Sequence, residues 1–137
     1  MKYFRYIFIF LMTLLSVTTS AQVNTDQVMR IGRNALYFED YMLSIQYFNQ
    51  VIQAKPYLAQ PYLYRAIAKL SLEDYTGAEE DASIAIEHNP FITDAYEVRG
   101  VARQNLGKNE QAIDDYDKAL SMLPENRGIM FNKAMAQ

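Results

Sequence analysis

The 137-residue sequence contains no cysteine and no tryptophan, and His88 is its single histidine. The absence of cysteine excludes disulfide bonds, thiolate metal sites, iron–sulfur clusters and a cysteine nucleophile. One histidine leaves almost nothing from which to build a transition-metal site. We therefore expect this protein to use neither a metal nor a cofactor.

Basic residues are too few for a general nucleic-acid-binding protein. Lysine and arginine number 13 against 16 aspartates and glutamates, which gives a net charge of −3. Nucleic-acid-binding proteins usually present a basic surface that releases counterions from phosphates. Half of the residues are hydrophobic, which suffices for one modest core. We therefore expect a small folded protein whose partner is not a nucleic acid.

The first 21 residues have the order of a secretory signal peptide. Lys2 and Arg5 form a positive start, residues 6–17 form an apolar run of 12, and small residues follow up to Ala21. This run is shorter than the roughly 20 apolar residues that a membrane-spanning helix needs. We expect cleavage after Ala21, no stable membrane span afterwards, and export to the periplasm or beyond in a bacterium. An uncleaved anchor is the alternative.

A period of 34 residues runs through the rest of the sequence, most visibly at Pro56, Pro90 and Pro124. Small residues recur in the same register, in three sets: Gly32, Ala66 and Gly100; Ala78 and Ala112; Ala85 and Ala119. Constant spacing of this kind is typical of repeat architectures. After a short leader at 22–24, it predicts units at 25–58, 59–92 and 93–126, the first of them degenerate. The segment 127–137 repeats the opening of a fourth unit.

Within each unit the apolar residues fall at helical spacing, as at Tyr62, Ala66 and Leu70. A short turn, containing Gly107 in the third unit, divides each unit in two. The recurring prolines then end each second helix, because proline lacks the amide proton that a helix needs. No segment alternates with period two for long enough to predict a strand. The sequence therefore predicts an all-α chain with two amphipathic helices per unit.

This pattern resembles the tetratricopeptide repeat family, whose 34-residue consensus has a bulky residue at position 4, small residues at 8, 20 and 27, and proline at 32. Residues 25–137 follow it, with Gly32, Ala66 and Gly100 at position 8. The resemblance implies tandem helix-turn-helix repeats stacked as a right-handed α-solenoid. It also implies that the first helices of the units line a concave surface.

The sequence departs from the family pattern at position 7, where leucine is usual. Arg65 and Arg99 stand there, and Asp81 and Asp115 follow 16 residues later in the same units. A buried arginine is costly without a partner. We predict that these residues form structural ion pairs, within a unit or between adjacent units, and that they are not a ligand site.

In the family, a peptide-binding groove is lined by positions 2, 5, 6, 9, 12 and 13 of the first helices. Positions 5, 9 and 12 share one helical face and hold the candidate groove residues Met29, Arg33, Leu36, Leu63, Ile67, Leu70, Glu97 and Val101. The variant that clamps a C-terminal carboxylate uses lysine and asparagine there, and this sequence has only Arg33, so we expect no such clamp. Leu63, Ile67, Leu70 and Val101 would form an apolar strip, which is either a ligand groove or covered by a neighbouring segment.

No arrangement of residues predicts catalysis. The acidic residues lie inside helices without the spacing of a calcium loop, and His88 has no partners that would make it a catalytic base. The resemblance instead implies protein–protein interaction: an exported scaffold or adaptor, not an enzyme, that binds a peptide or helix of a partner. The alternative is an N-terminal docking or sensing module of a longer enzyme or signalling protein whose active domain lies beyond residue 137. A polysaccharide-processing enzyme is poorly supported, because no acid pair has a suitable geometry.

Overall fold

Seven α-helices occupy residues 25–136. They are α1 Thr25–Tyr37, α2 Tyr41–Ala54, α3 Ala59–Ser71, α4 Tyr75–His88, α5 Thr93–Asn105, α6 Asn109–Met122 and α7 Arg127–Ala136. The computed structural model describes Tyr3 and residues 24–137, so the predicted signal peptide and its cleavage site lie outside the described residues. No strand occurs in the described part of the chain, which confirms the predicted all-α fold.

Short polar side chains begin four of the helices. Asn24, Asp40, Asp74 and Asn126 each accept a hydrogen bond from a backbone N–H in the first turn of α1, α2, α4 and α7, at 3.0 to 3.3 Å. Such caps satisfy amide groups that have no partner inside the helix. Lys108 stands at the equivalent place before α6, and its side chain makes no capping bond.

The turn between the two helices of each unit contains one residue in the left-handed conformation. These residues are Glu39, Glu73 and Gly107, with φ of 63°, 61° and 75°. Glycine adopts this conformation freely, whereas a residue with a Cβ atom is strained by about 1 kcal/mol. The first two turns therefore carry a conformational cost that the third avoids.

Each second helix ends two residues before its proline, and a tyrosine fastens the following unit to that proline. The Tyr62 hydroxyl donates to the Pro56 carbonyl at 3.0 Å, and the Tyr96 hydroxyl donates to the Pro90 carbonyl at 3.0 Å. Both tyrosine rings are buried. The bulky residue at position 4 thus joins successive units as well as filling the core.

The small residues at position 8 make room for an aromatic ring. A Cβ atom added at Gly32 would lie 2.8 Å from Cε1 of Phe48, and one added at Gly100 would lie 2.6 Å from Cε1 of Tyr116. The remaining small residues of the repeat are fully buried between helices: Ala66, Ala78, Ala85, Ala112 and Ala119. Their recurrence reflects close helix approach.

Helices contact mainly their neighbours along the chain, and the first helices of successive units also touch, α1 with α3, α3 with α5 and α5 with α7. This connectivity is that of a one-dimensional stack. The two ends of the stack differ. Gln27, Arg30 and Asn34 of α1 are exposed and polar, whereas Met130 and Phe131 of α7 are exposed and apolar.

Candidate functional site

The predicted apolar strip is only partly open to solvent. Leu63 is only 4% exposed, and Ile67 and Leu70 pack against the same core cluster. Val101 packs against the core around Tyr116. The assignment of Leu63 to a groove is wrong, because side chains of α4 and α5 complete the cluster around it. Leu63 is therefore closed over within the stack, whereas Ile67, Leu70 and Val101 keep part of their surface exposed.

The other candidate groove residues keep more of their surface. Arg33 is exposed, and Met29, Leu36 and Glu97 are half-buried. Glu97 accepts a hydrogen bond from Nδ2 of Asn132 at 3.4 Å. Burial, and then the nearby charge of Asp94, raises the pKa of Glu97 above its ordinary value. The positive candidate thus lies on α1 and the negative candidate on α5, two first helices further along the stack.

A cavity of about 560 Å³ opens between α1 and α3. It is lined by Arg30, Arg33, Asn34, Leu36, Tyr37 and Tyr64. Its volume lies within the range of small ligand pockets. Charged, amide and aromatic groups lie together at this cavity, whereas the predicted strip is apolar.

Aromatic rings support the cationic wall of this cavity. The guanidinium carbon of Arg33 lies 5.5 Å from the centroid of the Tyr64 ring, within the range of a cation–π interaction. The Tyr64 ring stacks on Phe48 with centroids 5.6 Å apart and an interplanar angle of 26°. Because Phe48 is fully buried, the core holds the Tyr64 ring in place.

Two more rings stand at the rim of the cavity. Tyr37 is 82% exposed, and its ring meets that of Phe38 edge to face at 5.2 Å. Aromatic side chains that are apolar at one end and polar at the other are well suited to contact a partner. The rim therefore adds apolar contact area next to the arginines.

Sequence reasoning missed Arg30, Asn34, Tyr37 and Tyr64. Arg30 and Tyr64 occupy position 6 of their units, and Tyr37 occupies position 13. The family pattern includes both positions among those that line the groove. Positions 6 and 13 therefore account for Arg30, Tyr64 and Tyr37, whereas Asn34, at position 10, lies outside the groove positions of the family.

The arginines at position 7 bond to aspartates within their own units. Arg65 donates from Nη2 and Nε to the two carboxylate oxygens of Asp81, at 2.6 and 2.7 Å. Arg99 makes the same kind of contact with Asp115, from Nη2 at 2.7 Å. The hydrogen bond with Asp81 raises the pKa of Arg65 above its ordinary value. These pairs lie between helices of one unit, where they neutralise buried carboxylates.

A second set of ion pairs links the second unit to the third. Arg103 donates to Asp115 and to Glu79, each at 2.9 Å, and Lys108 donates to Glu79 at 2.6 Å. Burial alone would raise the pKa of Glu79, but the hydrogen bonds from Lys108 and Arg103 outweigh it and hold that pKa below its ordinary value. These side chains are therefore engaged in ion pairs that hold the helices together.

The single histidine of residues 24–137 lies on the surface. His88 is exposed beside the ring of Tyr62, at 5.5 Å between centroids. Within those residues no three histidine, aspartate or glutamate side chains are grouped as a metal site. The same part of the chain contains no helix both long and apolar enough to cross a membrane.

Comparison with known proteins identifies the repeat. A family model for the tetratricopeptide repeat matches residues 93–126, which is the span of α5 and α6 with their flanking turns. The small glutamine-rich tetratricopeptide repeat-containing protein 2 of Saccharomyces cerevisiae is 35% identical over 95 residues. That match covers 69% of this chain but only 28% of the yeast protein, so the chain spans less than a third of this relative's length.

Two solved structures have the same architecture. The first TPR of Spaghetti (RPAP3), bound to the HSP90 peptide SRMEEVD, superposes with a TM-score of 0.80 at 28% identity, over 82% of this chain and 89% of that one. The second TPR domain of human RPAP3, in complex with the HSP70 peptide SGPTIEEVD, gives 0.77 at 25% identity, over 82% and 98%. Together with the 34-residue register of its helix pairs and the family match at residues 93–126, these likenesses establish that the chain has the all-α solenoid fold of tetratricopeptide repeats.

Proposed function

We propose that this chain is an adaptor without catalytic activity that binds a peptide segment of a partner protein on the surface formed by its first helices. The observation that carries the proposal is the cavity between α1 and α3, where Arg30, Arg33 and Tyr37 are exposed and neither arginine forms an ion pair with residues 24–137. Exposed aromatic and arginine side chains are the groups that most often anchor a protein partner. No other function in reach of these residues uses them.

The structural relatives support this proposal. Both of the solved domains described above hold a short peptide, SRMEEVD in one and SGPTIEEVD in the other. Each of those peptides is rich in carboxylates. The present chain shares their fold and has its arginine-lined cavity between two first helices, so peptide binding is the function most consistent with its surface.

The site of action proposed for this adaptor is outside the cytoplasm, on the basis of the signal-peptide pattern in residues 1–21. N-terminal sequencing of the protein from its natural host tests this part of the proposal. A mature chain that begins at Gln22 supports export with cleavage. A chain that retains Met1 contradicts cleavage and favours the anchor.

A second candidate function is a docking module within a longer protein. It is favoured by the observation that the matching segment makes up only 28% of the yeast relative. The mass of the native protein separates the two candidates. A mass equal to that of residues 22–137 supports the independent adaptor, whereas a much larger mass supports the docking module.

Site-specific photo-crosslinking tests the binding surface. A photoreactive amino acid replaces Tyr37 at the rim of the cavity or, as a matched control, the solvent-exposed Tyr57 in the turn before α3. We expect the protein expressed in its host to form a discrete adduct from position 37 and none from position 57. Equal adducts from both positions, or none from position 37, would contradict the proposed surface.

A further inference from the structure

The arginines at the cavity differ from those deeper in the stack. Arg65, Arg99 and Arg103 all donate to carboxylates of their own fold. Arg30 and Arg33 are exposed, and neither forms an ion pair with any residue of the described range 24–137. Two unpaired guanidinium groups at one cavity have donors free for an anion, and their forked geometry suits a carboxylate.

The cavity is also organised before any ligand arrives. Arg33 lies over the Tyr64 ring, which in turn rests on the buried ring of Phe48. This support restricts the arginine side chain and so lowers the entropy that binding must remove. Asn34 adds an amide donor, and Tyr37 adds an apolar wall beside the charges.

The next first helix, α5, has acidic residues at two of its groove positions. In α5, positions 2 and 5 of the third unit hold Asp94 and Glu97. A peptide that extended from the cavity across α5 would bring its terminal carboxylate near these two acids. Asp26 also stands at position 2 of α1, so the favourable site for an anion is the cavity itself, where Arg30 and Arg33 lie together.

We infer that this cavity receives a glutamate or aspartate side chain from an internal segment of the partner, with an apolar or aromatic residue next to it. The acidic group pairs with Arg30 and Arg33, and the neighbouring apolar group packs on Tyr37. Recognition does not require a free chain end. This inference rests on the proposed function and specifies the chemistry of the ligand at the same surface.

A peptide titration followed by NMR tests it. The full chain is titrated with an acetylated and amidated peptide that carries glutamates on both sides of a phenylalanine, and with the same peptide containing glutamine instead. We expect amide shifts confined to α1 and α3 and a Kd for the glutamate peptide at least about tenfold lower than for the glutamine peptide, a ratio typical of lost charge-assisted hydrogen bonds. The glutamate peptide with a free carboxylate should bind within about twofold of the amide, since its chain end makes no contact.

Variants locate the effect. Arg33→Glu should weaken binding of the glutamate peptide by about tenfold or more, and Arg33→Gln should weaken it less, because it removes the charge without reversing it. Arg127→Glu makes the same charge change at an exposed arginine of α7 and should alter the Kd by less than about twofold. Thermal melting checks that each variant remains folded.

Three results would overturn the inference: equal affinity for the glutamate and glutamine peptides, equal effects of Arg33→Glu and Arg127→Glu, or binding that disappears when the carboxyl terminus is amidated. The last result would return the site to recognition of a chain end. If the peptides fail to bind while position 37 still crosslinks a partner, the ligand chemistry is wrong and the adaptor function stands.

Discussion

The second unit meets its two neighbours in different ways. Towards the first unit, Tyr64 of α3 stacks on Phe48 of α2. Towards the third unit, Glu79 of α4 accepts hydrogen bonds from Arg103 and Lys108. The backbone register is the same at both interfaces. The comparison shows that the repeat requires a fixed helix spacing and buried small residues, whereas the side-chain contacts between units can differ from one interface to the next.

Single substitutions in the repeat explain the difference. At positions 34 residues before Glu79, Arg103 and Lys108, the sequence has Ile45, Lys69 and Asp74. Lys69 bonds to Asp81 in its own unit at 2.9 Å, and Asp74 caps α4. No acid is left there to receive a cation from the next unit. Beyond the hydrogen bond from Arg65 to Asn49 at 2.7 Å, stability at the first interface should depend on apolar contact, and stability at the second should depend on salt and pH as well.

The largest effect is expected from Asp115→Ala, which removes the carboxylate shared by Arg99 and Arg103. The Asp115 side chain is almost fully buried, so its loss leaves two arginines without their partner and should lower the free energy of unfolding by about 3 kcal/mol. Asp114→Ala, at an exposed position of the same helix, should change it by less than about 0.5 kcal/mol. Urea unfolding measures both.

A double-mutant cycle sharpens this prediction. Replacing Arg99 and Asp115 together by apolar residues should cost less than the sum of the single changes, because no charge is then left unpaired. Additive effects in the cycle would show that the pair is not coupled.

The next largest effect is expected at position 8 of the third unit. This position is Gly100, whereas the second unit has Ala66 there. Gly100→Ala places a Cβ atom 2.6 Å from Tyr116, whose hydroxyl donates to Gln104, and should cost about 1 to 3 kcal/mol. In a Tyr116→Ala background the same change should instead stabilise by up to about 1 kcal/mol, because alanine favours helix over glycine. Thermal or urea unfolding of the four proteins gives the sign. A cost that persists without the ring would refute the steric explanation.

A smaller effect is expected at Glu79, which joins the second and third units. Glu79→Gln should lower the free energy of unfolding by about 0.5 to 1 kcal/mol, and the difference should shrink in high salt. Glu80→Gln, at the exposed neighbouring position, should have almost no effect. A loss that is independent of salt would show that Glu79 acts through packing and not through charge.

The same carboxylate predicts a pH dependence. The pKa of Glu79 lies below its ordinary 4.5 in the folded protein, so its stabilising contribution is complete above that value. The contribution should disappear as the pH falls through the folded pKa, because protonation removes the charge that Lys108 and Arg103 contact. Unfolding measured from pH 6 down to pH 3 should therefore bring wild type and Glu79→Gln together. Parallel curves would contradict the assignment.

The smallest effect concerns the turns. Glu73→Gly should stabilise the protein by about 0.5 kcal/mol, because glycine relieves the left-handed strain by more than it adds disorder to the unfolded chain. Gly107→Ala should destabilise by about 1 kcal/mol for the converse reason. Glu80→Gly, within helix α4, is the matched control for Glu73→Gly and should destabilise the protein by about 1 kcal/mol. Thermal unfolding distinguishes the opposite signs.

Several features could be predicted from local pattern. The spacing of Pro56, Pro90 and Pro124 reports the repeat because each proline ends a helix at the same point of every unit. The pairing of Arg65 with Asp81 could be anticipated because both residues recur together at a fixed distance. The candidate site was harder to predict. Leu63 at position 5 and Arg33 at position 9 were both assigned to the groove, and yet only Arg33 is exposed.

The sequence by itself determined the helices, their ends and the 34-residue register, because propensity, capping and periodic burial are local properties that each segment carries with it. Only the tertiary structure decided which face stays open. Leu63 is closed over by side chains of α4 and α5, whereas α1, at the start of the stack, has no earlier unit to cover Arg30 and Asn34 within the described residues. Whether a side chain is exposed depends on which side chains the neighbouring helices place beside it, and only the tertiary packing sets those contacts.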